Sequence, residues 1–170
     1  MEPEVFELLP VNSESFQELL KKSAIILNIC ENLKIIPIVY GSFACFYHTQ
    51  DENMPVNDLD LLVPEDSFPE LINILKKNNI IHKEMTWTSI VCTIDNSKIE
   101  LDSIERNLGI RSKETIYIQV GDSGFNIINR ISLTDIYQEA VDRMPETQEF
   151  AKQKALYKGK LDKLKNITLS

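Results

Sequence analysis

Cysteine, histidine, tryptophan and positive charge are all scarce in this chain of 170 residues, which has 3 Cys, 2 His, 1 Trp and 18 basic against 26 acidic side chains. Cys30, Cys45 and Cys92 stand far apart in apolar surroundings without metal-ligand spacing, so reduced core thiols are expected. His48 and His82 have no Cys or His partner at zinc spacing and read as polar surface or helix-end residues. A formal net charge of -8 opposes binding to long nucleic acid, whose affinity needs basic side chains to displace counterions from phosphate, and favours a small substrate. Long apolar runs are missing too: nothing approaches the roughly 18 consecutive apolar residues of a membrane span. The opening MEPEVFELLP carries acids where a secretory signal carries bases, so a cytoplasmic protein without membrane contact is expected. No Ser-His-Asp or Cys-His arrangement can be argued, and no Walker-type Gly-rich loop is present.

What is present is ordinary globular composition, 43% hydrophobic and 26% charged, in a length that suits one domain or one domain plus a helical appendage. SESFQELLKKSAIILNICENLK spaces its apolar residues as an amphipathic helix, with Ser15 and Glu18 as a capping box. The β-branched run IIPIVY leads into Gly41-Ser42, and FACFYHT can continue as a helix. LDLLV reads as a buried strand ended by Pro64, and a helix is expected from about Ser67 to Lys77. IIHKEMTWTSIVCTI, SKIELDSIE, TIYIQV and FNIINR suggest strands, with turns at Asp95-Asn96-Ser97 and Gly121-Asp122-Ser123-Gly124. Ser132 and Asp135 can box a helix that Pro145 ends before a last, lysine-rich helix. The expected fold class is α+β: a mixed sheet flanked by helices over residues 1–130, and a C-terminal helical segment, 131–170, packed on the same domain.

The stretch YGSFACFYHTQDENMPVNDLDLLV sets Asp58 and Asp60 two apart on a strand, hence side by side on one face, with Leu59 and Leu61 turned to the core. Polar residues on a wet sheet face would produce the same alternation. Two adjacent carboxylates also repel, and Mg²⁺, which takes one or two carboxylates plus phosphate oxygens and water, relieves that repulsion. Upstream, Gly41 lets backbone approach a ligand closely and Ser42 at a helix start offers amides and a hydroxyl to phosphate.

Together, a strand ending in Gly-Ser, a helix, and a strand carrying hDhDh resemble the signature of the DNA polymerase beta-like nucleotidyltransferase superfamily, over residues 36–63. The resemblance implies that Gly41 and Ser42 hold a nucleoside triphosphate, that Asp58 and Asp60 bind Mg²⁺, and that a third carboxylate comes from a later strand. Asn57 stands where many members place serine. KIELDSIE supplies the third acid: Glu100, flanked by apolar residues, ranks before Asp102. The implied reaction is attack of an acceptor hydroxyl on the α-phosphorus with release of pyrophosphate, the third carboxylate taking the proton or sharing a metal. Of Lys152, Lys154, Lys158, Lys160, Lys163 and Lys165 in the last helix, KGKLDKL resembles the end of small members whose basic residue faces the nucleotide, which selects Lys158 and Lys160. Trp87 could stack on a base or sugar ring or simply pack.

Members of this size include antibiotic nucleotidyltransferases acting on aminoglycosides or lincosamides and the minimal nucleotidyltransferases of toxin and antitoxin pairs. The acceptor expected here is a small-molecule hydroxyl, such as a cationic antibiotic suited to an acidic pocket. The alternative is a protein or tRNA partner, or nucleotide binding without turnover.

Overall fold

Alternation along DLDLLV decides how the sheet is assembled. The computed structural model describes residues 4–5, 14–51, 53–54, 56, 58–108, 114–120 and 123–167. Its strands are β1 (Glu4–Val5), β2 (Ile38–Tyr40), β3 (Asp58–Val63), β4 (Ile81–Thr86), β5 (Ser89–Ile94), β6 (Ser97–Ser103), β7 (Thr115–Val120) and β8 (Ser123–Ile128). Its helices are α1 (Glu14–Asn32), α2 (Gly41–Thr49), α3 (Phe68–Lys77), α4 (Ile104–Leu108), α5 (Arg130–Arg143) and α6 (Ala151–Lys165). All the strands join one mixed sheet in the order β1-β7-β8-β2-β3-β6-β5-β4. In it β3 lies antiparallel to β2 and parallel to β6.

Leu59, Leu61, Ile99 and Leu101 are 0% exposed, as are Ile90 and Cys92 on the neighbouring β5. They share one face of the sheet by strand parity, and α1 packs on it against β3 and β6, bringing Cys30 near Cys92. The three cysteines are free and buried, as expected, and burial pushes the thiols of Cys30 and Cys92 up to about 12 and that of Cys45 to about 11. His48 Nε2 meets the Ile128 carbonyl at 2.6 Å and His82 Nδ1 the Ile80 carbonyl at 2.8 Å. At the other end of the chain, α5 and α6 pack against each other and both against α2. Among the described residues no helix is long and apolar enough to cross a membrane.

Several local expectations shift by a few residues, each for a visible reason. Asp95 and Asn96 turn β5 into β6 with φ of 47° and 67°, the left-handed pair that a tight hairpin requires. The long run before it divides at Trp87-Thr88, where Thr86 Oγ1 accepts from the Thr88 amide at 3.2 Å. SKIELDSIE leaves the sheet at Ser103, whose hydroxyl accepts from the Arg106 amide at 3.1 Å and starts α4. α5 begins before Ser132: Asn129 caps it, its side chain accepting from the Ser132 amide at 2.8 Å, and Asp135 is exposed within the helix. The predicted capping contact of Ser15, the Gly121-Asp122 turn and Asn57 lie outside the described residues.

Candidate active site

The register of three strands brings the acids together. Asp60 sits opposite Glu100 across the parallel β3–β6 pair, Asp58 opposite Lys98, and Asp102 one rung further on, opposite Leu62. Residues directly opposite on neighbouring strands share a face, so Asp58, Asp60, Glu100 and Asp102 all project from the face away from α1. Each is partly buried. The Asp60 and Glu100 carboxyls, opposite each other in register, lie within hydrogen-bonding reach. Burial, then the charges of Glu100, Asp58 and Asp102, push the Asp60 carboxyl up to about 7. Burial and the neighbouring Asp58 and Asp102 also raise Glu100.

β2 runs antiparallel on the other side of β3 and ends at Tyr40, opposite Asp60. The next residue, Gly41, opens α2 with φ +72°, and a Cβ built on it would lie 2.1 Å from Asp60 Oδ2. Glycine is therefore demanded twice there, by backbone conformation and by contact with the carboxylate. Tyr40 makes no side-chain cap at the N-terminus of α2, and a helix start of this kind presents backbone amides, beside Ser42, that suit an anion.

Ser42 has a cationic partner 118 positions away: Lys160 Nζ on α6 donates to Ser42 Oγ at 2.6 Å. The lysine is buried, its ammonium 5.8 Å and 6.0 Å from the ring centres of Tyr137 and Tyr157, and burial lowers its pKa while Asp60 and Asp58 oppose that shift. Lys158 is not brought to this turn. Two residues along a helix is about 200° of rotation, and Lys158 is exposed beside Glu146, Thr147 and Gln148. Lys163 pairs with Asp51 and Lys154 with Glu146. Trp87 is 63% exposed, with the Arg106 guanidinium 4.4 Å over its ring, and lines a groove of about 690 Å³ with Pro69 and Ile72 of α3. It packs beside a helix rather than next to the acids.

One side chain of the site was not singled out from the sequence. Tyr40 Oη donates to Asp102 Oδ2 at 3.2 Å, spanning β3 to reach β6, and burial with the surrounding acids holds its phenol well above the usual range. The signal was present only as the residue before Gly41; its meaning depends on the β2–β3 register. Among the described residues no three acidic, His or Cys side chains converge tightly enough to hold a metal alone. By chemistry the facing carboxylates of Asp58 and Asp60 are hard oxygen donors of the kind Mg²⁺ takes, one or two of them with phosphate oxygens and water completing its shell.

No protein-family model matches the sequence, and no curated protein is similar to it. Solved structures are similar in fold. An antigenic nucleotidyltransferase-like protein from Paracoccidioides brasiliensis superposes with a TM-score of 0.62 at 10% identity, over 91% of this chain and 77% of that one. A lincomycin-bound lincosamide antibiotic adenylyltransferase gives 0.57 at 13% identity, over 87% and 97% of the two chains. The antibiotic-resistance factor ANT(2'')-Ia gives 0.54 at 13%, over 86% and 87%. At such identities the likeness speaks for architecture, and the chain has the mixed-sheet α+β fold of the nucleotidyltransferases.

Proposed function

We propose that the protein is a Mg²⁺-dependent nucleotidyltransferase, moving a nucleoside monophosphate from a nucleoside triphosphate to a hydroxyl of a small-molecule acceptor. The observation that carries this reading is a single junction. Gly41 lies against Asp60, Ser42 is bonded to Lys160, and Glu100 stands opposite Asp60, so an anion-binding turn and a cluster of acids share one edge of the sheet.

In this reading the first amides of α2, the Ser42 hydroxyl and the Lys160 ammonium bind the β- and γ-phosphates, placing positive charge where the leaving group gathers negative charge. Asp58, Asp60 and Glu100 would hold Mg²⁺, which when bound neutralises phosphate charge and orients the α-phosphate. The acceptor oxygen forms a bond to the α-phosphorus as the bond to the β-phosphate oxygen breaks. Pyrophosphate leaves with that electron pair, and the hydroxyl proton passes to Glu100 or Asp102. The lincomycin bound in one similar structure, and the adenylyl-tobramycin bound in another structure of ANT(2'')-Ia that is also similar in fold, make lincosamides and aminoglycosides first choices of acceptor.

The test is incubation of the full chain with each labelled nucleoside triphosphate, Mg²⁺ and a panel of aminoglycosides, lincosamides, tRNA and proteins, read by product mass. A nucleotidylated small molecule is expected, made by the wild type and lost on Asp58→Asn or Asp60→Asn. Transfer undiminished in both variants, or no Mg²⁺-dependent triphosphate binding by calorimetry, overturns the reading. A labelled protein or tRNA instead would keep the chemistry and change the acceptor.

A further inference from the structure

Four carboxylates on one face are more than a metal pair and one base require, and the hydrogen bonds divide them. We propose that Tyr40 is a positioning residue that holds Asp102 out of the metal-binding set and aims it at the acceptor hydroxyl, leaving Asp58, Asp60 and Glu100 for Mg²⁺; this rests on the nucleotidyltransferase reading above.

Two independent features support the division. The first is register. Asp102 lies opposite Leu62, two residues beyond Asp60 and four beyond Asp58, offsets of about 7 and 13 Å along the strand, whereas Glu100 lies opposite Asp60 itself and two residues from Asp58. The second is hydrogen bonding. Glu100 faces Asp60 directly, whereas Asp102 Oδ2 receives the phenol O–H of Tyr40 at 3.2 Å. The phenol takes one lone pair of Asp102 Oδ2 and fixes the plane of the carboxylate, while its other oxygen remains available to accept from an incoming hydroxyl. Tyr40 is itself fixed by its place on β2, packed against the core and next to the Gly41 turn, so Asp102 is oriented from the strand that also presents the triphosphate-binding turn. Ser89, opposite Asp102 on β5, extends this side of the site away from Asp58 and toward the free edge of the sheet. The acceptor is thus expected to lie over β5 and β6, and the triphosphate over β2 and β3.

The experiment combines metal titration with a double-mutant cycle. Mn²⁺ binding with a non-hydrolysable triphosphate, followed by electron paramagnetic resonance, is measured for the wild type, Asp60→Asn, Glu100→Gln, Asp102→Asn and Tyr40→Phe. Affinity is expected to fall at least about tenfold in the first two variants, as for loss of a metal ligand, and to stay within twofold in Asp102→Asn and Tyr40→Phe. In turnover, Tyr40→Phe should lower kcat by about tenfold with nucleotide KM unchanged, and Asp102→Asn by about a hundredfold, as for loss of a general base. The double variant should be no slower than Asp102→Asn, a non-additivity that a purely structural tyrosine would not give. Mn²⁺ affinity lost in Asp102→Asn, or multiplicative effects of the two substitutions, overturns the assignment. Where no acceptor turns over, the Mn²⁺ series alone decides. A wild-type chain that binds no Mn²⁺ with triphosphate overturns the nucleotidyltransferase reading as well, whereas a loss confined to Asp102→Asn overturns only the division of labour.

Discussion

Leu59, Leu61, Ile99 and Leu101 are fully buried on one face of β3 and β6, whereas Asp58, Asp60, Glu100 and Asp102 alternate with them on the same strands and keep part of their surface open. Neighbouring residues thus serve opposite ends. The leucines and isoleucine remove apolar surface from water under α1, and the acids accept mutual repulsion and partial desolvation that no apolar packing relieves. The difference teaches that stability and chemistry are separable here by residue parity, one position apart.

The largest effect belongs to the closed face. Leu101→Ala should cost about 3 to 5 kcal/mol of unfolding free energy, the range for truncating a fully buried leucine, measured by urea denaturation. Glu100→Gln, one residue away, should leave the midpoint unchanged or raise it, because it removes charge from a repelling cluster. A comparable loss in both variants would break the contrast between the faces.

Next comes pH. The folded-state Asp60 carboxyl is pushed up to about 7 from an ordinary 3.8. Folding therefore favours its protonated form. The metal-free chain gains from this most below pH 4, loses it as pH rises toward 7, and carries a constant penalty above. Asp60→Asn removes this group's share of the dependence and leaves that of the raised Glu100, so the variant should be more stable than wild type by about 4 kcal/mol at pH 8 and nearly equal to it at pH 4. Parallel denaturation curves at the two pH values check this, and a wild type as stable as the variant at pH 8 would mean the acids are not in conflict.

Much of this was legible in the chain because it is local. The period-two alternation of LDLLV and KIEL named the acids and the core residues opposite them, and the Asp95-Asn96 pair announced its hairpin. The long helices were legible from apolar spacing, caps and Pro145, whereas α4 was not, its first residues reading as the end of a strand. What was hidden is what the partner strand or helix decides. Tyr40 gains its role from pairing with Asp60 and reaching Asp102, and Glu4–Val5 joins the sheet only because β7 offers a parallel edge. Asn129 outcompetes Ser132 as a cap through backbone placement that no spacing rule reports.

Gly41 tests where the two faces meet the turn. Gly41→Ala should cost about 1 to 2 kcal/mol, the penalty of a left-handed conformation in a residue with a Cβ. Because that Cβ would stand 2.1 Å from Asp60 Oδ2, the carboxylate must also move. Triphosphate binding with Mg²⁺, followed by calorimetry, should therefore weaken more than stability does. A variant that loses stability but binds normally would place Asp60 outside the metal set.

The smallest effect carries the same lesson to a helix, where facing is set by a rotation of about 100° per residue. Lys160 and Lys158 have the same chemistry and nearly the same position in sequence, yet one donates to Ser42 and the other is exposed beside Glu146. Lys160→Met keeps the unbranched stem against Tyr137 and Tyr157 and removes only the ammonium, so packing is largely retained. Triphosphate affinity should fall about tenfold, or about 1.4 kcal/mol, with little change in unfolding midpoint. Lys158→Met should leave both unchanged. Equal losses in the two variants would mean that the last helix attracts the triphosphate through diffuse charge; a loss confined to Lys160→Met would mean that a single buried ammonium, delivered from α6 to the start of α2, completes the anion site that the acids across β3 require.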